Sequence, residues 1–238
     1  GPDKVAALRQ LARDNKTSIN VVLLTAYALT LGRQAGQTEI LIQVPLAGRV
    51  KETEGLIGCF ADAIILRLSA DPQVSVQAHI LQTHTQLYDG MRHAVPLALL
   101  LANLKAKPAE KLKMHRAILH WEQTINLRRS EGLAKGGLES TPFDASEEQA
   151  QLAAQTQSVL NINEDPDGGM QGDWLFSEAT IPSALMDRLV TAFETQLAAF
   201  ISPSPDPTPA TEDPPRETEV TQSSLKPFSS SALFGGGE

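Results

Sequence analysis

The chain has 238 residues, enough for one or two domains at about 150 residues each. Hydrophobic residues make up 42%, but aromatics only 5%, so the core must be built from Leu, Ile, Val and Ala. A formal net charge of -8 argues against non-specific binding to DNA, RNA or anionic membranes, which requires a basic face that displaces counterions. Cys59 is the only cysteine, which rules out an intrachain disulfide or a thiolate metal cluster and fits a reducing cytoplasm. No run reaches the roughly 20 apolar residues that cross a bilayer. No signal-peptide pattern opens the chain, and Gly1-Pro2 reads as a scar of tag cleavage.

In chain order, Asp3 to Asn15 predicts a helix with Val5, Leu8, Leu11 and Ala12 as its apolar stripe and Asp3 as its cap. A second helix starts at Thr17 or Ser18 and stops at Gly36, and its apolar residues run almost all round, as in a buried helix. Glu39 to Leu46 predicts a strand covered on both faces. After a charged loop, Phe60 to Leu68 predicts a longer strand, stopped by Asp71-Pro72. Gln73 to His93 predicts a helix burying Val76, Ile80, Leu87 and Met91, and Pro96 opens another through Leu104. Ala117 to Leu127, Ser158 to Asn163 and Met170 to Phe176 predict strands, the last two joined by the turn Asp165 to Gly169. Pro182 opens a closing helix striped by Leu185, Leu189, Phe193, Leu197 and Phe200. Arg128 to Gln157 loses all periodicity, and from Ser202 the Pro/Ser-rich tail predicts a flexible linker, leaving 3–201 as the domain. This order implies an α/β fold in which a mixed sheet is flanked by helices.

Catalytic signatures are sparse. The chain has no Gly-x-Ser-x-Gly elbow, phosphate loop, dinucleotide fingerprint or His-Glu-x-x-His. The five histidines are spaced so that His79/His84 and His115/His120 fall on different faces, and each reads as a surface or satisfied core residue. Asp62 interrupts an apolar strand, where a carboxylate must be hydrogen-bonded, ion-paired or wet. Arg67 is the partner type, but its odd spacing from Asp62 puts the two on opposite faces. Lys105, Lys107, Lys111, Lys113 and Arg116 form the one local basic cluster, a solvated face or a docking patch for an acidic partner.

Three stretches together resemble the condensation domains of nonribosomal peptide synthetases. Val44-Pro45-Leu46-Ala47-Gly48-Arg49 is similar to that family's V-P-x-A-G-R. Glu54 to Asp62, continuing to Leu66-Arg67, resembles E-G-x-I-G-x-F-x-N followed by L-R. Thr17 to Gln37 is similar to the preceding helix, ending in Leu-x-Arg-x-x-Gly-Gln at Leu31 to Gln37. The order and spacing of these stretches agree as well. The resemblance implies one lobe of a two-lobed fold similar to chloramphenicol acetyltransferase, with a tunnel between the lobes. What matches is the carboxyl-terminal lobe. The family's H-H-x-x-x-D-G belongs to the other lobe, and this chain has no His-His pair.

Departures from the family pattern are visible. Asp62 stands where the family usually has Asn, and H/N-Q-D-x-P-F-E becomes Arg92-His93-Ala94-Val95-Pro96-Leu97-Ala98. The R-D-x-S-R-N-P-L stretch is not recognisable around Lys111 to Arg116. The resemblance therefore implies part of an amide-forming transferase with no complete active site in this chain and no catalytic residue of its own. Gly48, Arg49, Gly58, Asp62 and Arg67 are expected near the tunnel and the seam between lobes. No cofactor or metal is expected in the chain, because the phosphopantetheine arm arrives on partner carrier proteins. Expected partners are the amino-terminal lobe, peptidyl or acyl carrier proteins, and adjacent synthetase domains reached through the linker. Three alternatives are a docking or recruitment module with a degenerate tunnel, an epimerisation or cyclisation subtype, and an unrelated acyltransferase lobe sharing only architecture.

Overall fold

The structure, a computed structural model, describes residues 1–49, 51–53, 55–114, 117–122, 158–165 and 168–202. The aperiodic stretch 128–157 and the linker from residue 203 onward lie outside these residues.

Helix α1 spans Pro2–Asp14, with Pro2 in its first turn, where a missing N–H removes nothing. Gly1 is the N-cap and no side chain caps the start, so Asp3 contributes its charge to the first turn instead of a cap. Val5, Leu8 and Ala12 are buried, and Leu11 is half-buried. Helix α2, Ile19–Ala35, is buried at every position from Val21 to Thr30 and ends on Gly36 in the left-handed conformation, φ 62°. Its two buried threonine hydroxyls are satisfied internally: Thr25 donates to Val21 O and Thr30 to Ala26 O. Neither residue therefore demands a polar partner from the core.

Strand β1 (Glu39–Leu46) pairs antiparallel with β2 (Asp62–Ser69) along their full lengths, from Glu39 opposite Ser69 to Leu46 opposite Asp62. Helix α3 spans Val76–Arg92, α4 Leu97–Asn103 and α5 Pro108–Lys113. Strands β3 (Ala117–Glu122) and β4 (Ser158–Glu164) run parallel to each other, and β5 (Met170–Phe176) returns antiparallel to β4. Helix α6, Ser183–Ile201, closes the fold. The sheet order is β2-β1-β3-β4-β5, with β1 and β3 parallel, so the sheet is mixed as expected.

One face of the sheet carries the core. Ile40, Ile42, Val44, Ile64, Leu66, Leu68, Leu119, Leu160 and Ile162 meet α2, Ile80 and Leu87 of α3, and Phe193 and Phe200 of α6. Tyr27 anchors the centre, its ring edge-on to Trp174 and Phe193. Burial pushes its phenol well above the ordinary tyrosine range, so it remains a neutral hydrogen-bonding group.

Several expectations are corrected. β1 is not covered on both faces: its burial alternates, and Leu41 is 37% exposed. β2 begins at Asp62, so Phe60 and Ala61 belong to the preceding loop. α3 begins at Val76 because the Ser75 hydroxyl accepts from Ala78 N, and it buries His79 and Thr83, while Met91 is exposed. In α6, Leu185 and Leu197 are only half-buried, and Met186 and Gln196 are buried. The Gln196 side chain carbonyl accepts from Arg33 of α2 at 2.5 Å, which explains a buried amide on an apolar face. Helix α5 is an element the sequence reading did not expect. The expected end of the third strand, residues 123–127, lies outside the described residues.

Gly32 sits where α2 passes the end of the sheet. A Cβ there would lie 2.2 Å from Ala70 Cβ and 2.8 Å from Gln37 O, and neither atom can rotate away. Gly32→Ala gains up to about 1 kcal/mol of helix propensity but overpacks by about 1–3 kcal/mol. Net destabilisation is expected, read as a lower urea midpoint at unchanged slope.

Candidate functional site

The carboxyl ends of the parallel strands β1, β3 and β4 share one edge of the sheet, the edge where open α/β sheets bind ligands. The motif residues Gly48 to Asp62 lie at that edge, between the end of β1 and the start of β2.

Gly48 turns the chain there. Its φ is 62°, and a Cβ would lie 1.7 Å from the carbonyl oxygen of Phe60. Both the conformation and the space require glycine. Arg49 follows and spends its guanidinium on the loop itself. Nη1 donates to Thr53 O at 3.0 Å and Leu56 O at 2.9 Å, and Nη2 donates to Gly58 O at 3.0 Å. The cation also sits 4.8 Å from the centre of the Phe60 ring, within cation–π range. A short 3-10 turn at Lys51–Thr53 and the backbone bond from Leu56 N to Thr53 O complete the wrap. Gly58 is thus an anchor through its carbonyl. A Cβ on it would meet only the Phe60 ring at 3.4 Å, an ordinary contact.

Asp62 has a specific task. One carboxylate oxygen accepts from Ala63 N at 2.8 Å and from Leu97 N at 3.0 Å. Leu97 opens α4, whose N-cap residue is Pro96, a residue with no capping side chain. The carboxylate of Asp62 therefore caps α4 across the fold and ties it to the loop. This explains a charged group interrupting an apolar strand without any cation, and no described residue forms an ion pair with it.

The five seam residues are not all brought together. Arg67 pairs in register with Leu41 while Asp62 pairs with Leu46, so five residues, or about 16 Å of strand, separate them. Arg67 instead faces Glu39 at 3.7 Å with both side chains mostly exposed, a screened pair of little energetic weight. In the basic cluster, Lys105 and Lys107 are exposed. Lys111 donates from Nζ to Leu101 O at 2.5 Å and joins α5 to the end of α4. The Lys113 side chain and Arg116 lie outside what is described.

His79 Nε2 meets Asp71 O at 2.9 Å, and His84 Nδ1 meets the Thr17 hydroxyl at 2.8 Å with its ring against Tyr88. His93 sits at the end of α3. No three His, Cys, Asp or Glu side chains among the described residues converge on a metal position. Two cavities exist. A cleft of about 330 Å³ lies between α1, α6 and β4–β5, walled by Leu8, Trp174, Phe193 and Leu197. A second, of about 690 Å³, lies at the opposite strand ends and includes Arg67 and Ser158. The Ser158 hydroxyl accepts from Trp174 Nε1 at 2.5 Å and has the Tyr27 hydroxyl 3.5 Å away. Sequence reasoning missed the roles of Arg49 and Asp62, since only tertiary wrapping reveals which backbone groups they hold.

A model of the condensation domain family matches residues 1–205. The N-(5-amino-5-carboxypentanoyl)-L-cysteinyl-D-valine synthase of Amycolatopsis lactamdurans is 26% identical over 205 residues, covering 82% of this chain and 5% of that protein. The AMB antimetabolite synthetase AmbB of Pseudomonas aeruginosa is 33% identical over 114 residues, 47% of this chain and 9% of its own length. The chain thus spans less than a tenth of either relative. Among solved structures, the condensation domain of the monacolin K polyketide synthase MokA superposes with a TM-score of 0.66 at 21% identity. That match covers 84% of this chain and 45% of that one. No helix among the described residues is long and apolar enough to cross a membrane.

An acceptor is what α4 needs from residue 62. Asp62→Asn keeps the accepting oxygen and should change stability by less than about 0.5 kcal/mol, whereas Asp62→Ala should cost about 1–2 kcal/mol in chemical denaturation.

Proposed function

Because this chain belongs to the condensation-domain family, we propose that it is the carboxyl-terminal lobe of an amide-forming centre completed by an amino-terminal lobe. The observation that carries this reading is the contrast at the strand edge. Gly48, Arg49, Gly58 and Asp62 build a defined rim there, yet the Arg49 and Asp62 side chains are committed to backbone groups, and no three His, Cys, Asp or Glu side chains among the described residues converge on a metal position. The H-H-x-x-x-D-G imidazole would come from the other lobe. This chain's contribution would be to wall the channel and to position a thioester and an amine for attack, a gain of proximity rather than of proton transfer. The phosphopantetheine arms belong to carrier proteins and enter as tethered substrate, so no cofactor is assigned to this chain. Lys105 and Lys107 would add local attraction for an acidic carrier surface on an otherwise acidic chain.

A non-catalytic docking module of the same family is the second reading. It is favoured by the altered stretch Arg92 to Ala98, which keeps only the family's proline.

The test is to mix this chain with the amino-terminal lobe of its parent domain and two loaded carrier proteins, then assay for the amide-linked thioester by mass spectrometry. Product that requires both lobes is expected. Lobes that associate without forming product would retire the catalytic reading and favour the docking module. Product from this chain alone would overturn both.

A further inference from the structure

The sheet is open at its other edge, away from the Gly48–Asp62 rim. β1 and β2 pair along both their lengths, and β3 pairs with β4 along its own, but β1 and β3 meet in register only at Gln43 and Ile118. That register sets Ala117, the first residue of β3, beside Ile42. Glu39, Ile40 and Leu41 therefore have no strand on that side among the described residues. The gap is the way into the cleft of about 690 Å³. A cleft of this size suits a small molecule, and such sites are mostly apolar with a few placed polar groups.

The cleft passes through the plane of the sheet. Ile40 faces the helices with Ile42 and Val44, so Leu41, one residue out of phase, faces the other way. Arg67 lies opposite Leu41 in register and shares its face. Ile40, Leu41 and Arg67 all line the cleft, and Leu185 and Leu189 of α6 close it on the helix side. Leu41 is 37% exposed, the one large hydrophobic residue on a strand to stand so among the described residues, so the apolar wall is uncovered. At the mouth a cation and an anion stand side by side. Arg67 Nε and Glu39 Oε1 are 3.7 Å apart, with both side chains mostly exposed. A pair this loose is screened and contributes little to the fold, and one long contact leaves most of the guanidinium's donors and the carboxylate's lone pairs available.

We propose that this cleft binds a free apolar α-amino acid, with its carboxylate on Arg67, its ammonium on Glu39 and its side chain in the gap against Ile40, Leu41 and Leu185. The charges at the mouth select this chemistry. A simple carboxylic acid meets repulsion from Glu39 and a simple amine meets repulsion from Arg67, whereas a molecule carrying both charges satisfies both. The 3.7 Å between the two groups matches charges borne on one carbon, and the terminal charges of a peptide stand further apart. The apolar wall then favours a bulky hydrophobic side chain over a small or polar one. From Glu39 to the end of β1 is roughly 23 Å of strand, so the cleft is separate from the rim, and the proposal stands whichever way the test of the two lobes falls.

The experiment titrates L-phenylalanine, and separately L-leucine, into the nitrogen-15-labelled 238-residue chain and follows its amide resonances. Saturable shifts at residues 39–41, 67, 117 and 181–189 are expected, with residues 48–62 unmoved. N-acetyl-L-phenylalanine lacks the cation and L-phenylalanine methyl ester lacks the anion, and each should bind about tenfold more weakly or worse. Arg67→Gln and Glu39→Gln should each weaken L-phenylalanine binding about tenfold at an unchanged melting temperature, because the pair they break is screened. Ala35→Trp fills the cleft from an exposed position on α2 and should abolish binding. The absence of saturable shifts with either amino acid overturns the proposal. Equal affinity for the blocked analogues, or wild-type affinity in both Gln variants, overturns the assigned chemistry by reducing the cleft to apolar adhesion. Shifts centred on the cleft between α1 and α6 overturn it by placing the ligand elsewhere.

Discussion

The backbone of Gly48 runs so close to the carbonyl oxygen of Phe60 that no side chain fits between them. This single approach closes the loop between β1 and β2, and its consequences follow in order. Phe60 is fixed, so its ring lies under the Arg49 guanidinium. The guanidinium then reaches the carbonyls of Thr53, Leu56 and Gly58 in one geometry. β2 can begin only at Asp62, opposite the last residue of β1, and that register aims the carboxylate at the first N–H of α4. The rim of the strand edge and the position of a whole helix thus depend on one residue lacking a Cβ.

Energetically, the molecule separates a dense core from an exposed working edge. α2 is enclosed along its middle, from Val21 to Thr30, with its threonine hydroxyls returned to its own backbone, and the aromatic cluster of Tyr27, Trp174 and Phe193 locks it against β5 and α6. The edge, by contrast, is held by hydrogen bonds to backbone carbonyls and amides. It leaves its apolar side chains uncovered. An edge ordered by its own hydrogen bonds while burying little is an arrangement suited to meeting another surface.

Much of this was legible from the residues. β1 falls where its β-branched run lies and stops before Gly48, and β4 and β5 flank a turn whose Gly168 has positive φ. The double cover expected for β1 failed because Leu41 disguises an alternation in which Ile40, Ile42 and Val44 alone face the helices. Met91 fits the helical period of Ile80 and Leu87, but the buried face of α3 turns toward His79, which finds a carbonyl partner in Asp71. The motif letters located the rim but not the labour of its members. Arg49 read as a tunnel residue and is committed to its own loop, and Arg67 read as its neighbour and lies near the opposite end of the strand. Periodicity carries no information about such tertiary wrapping.

Amide hydrogen exchange on the associated lobes is the most direct test of the central claim, that this chain forms its site only at the edge built around Gly48. Slowed exchange across residues 47–62 and 95–104 on adding the amino-terminal lobe, with the amides around Trp174 and Ser158 unchanged, is the predicted result. Protection confined to the cleft between α1 and α6, with the Gly48–Asp62 loop exchanging as it does in the free chain, would contradict it.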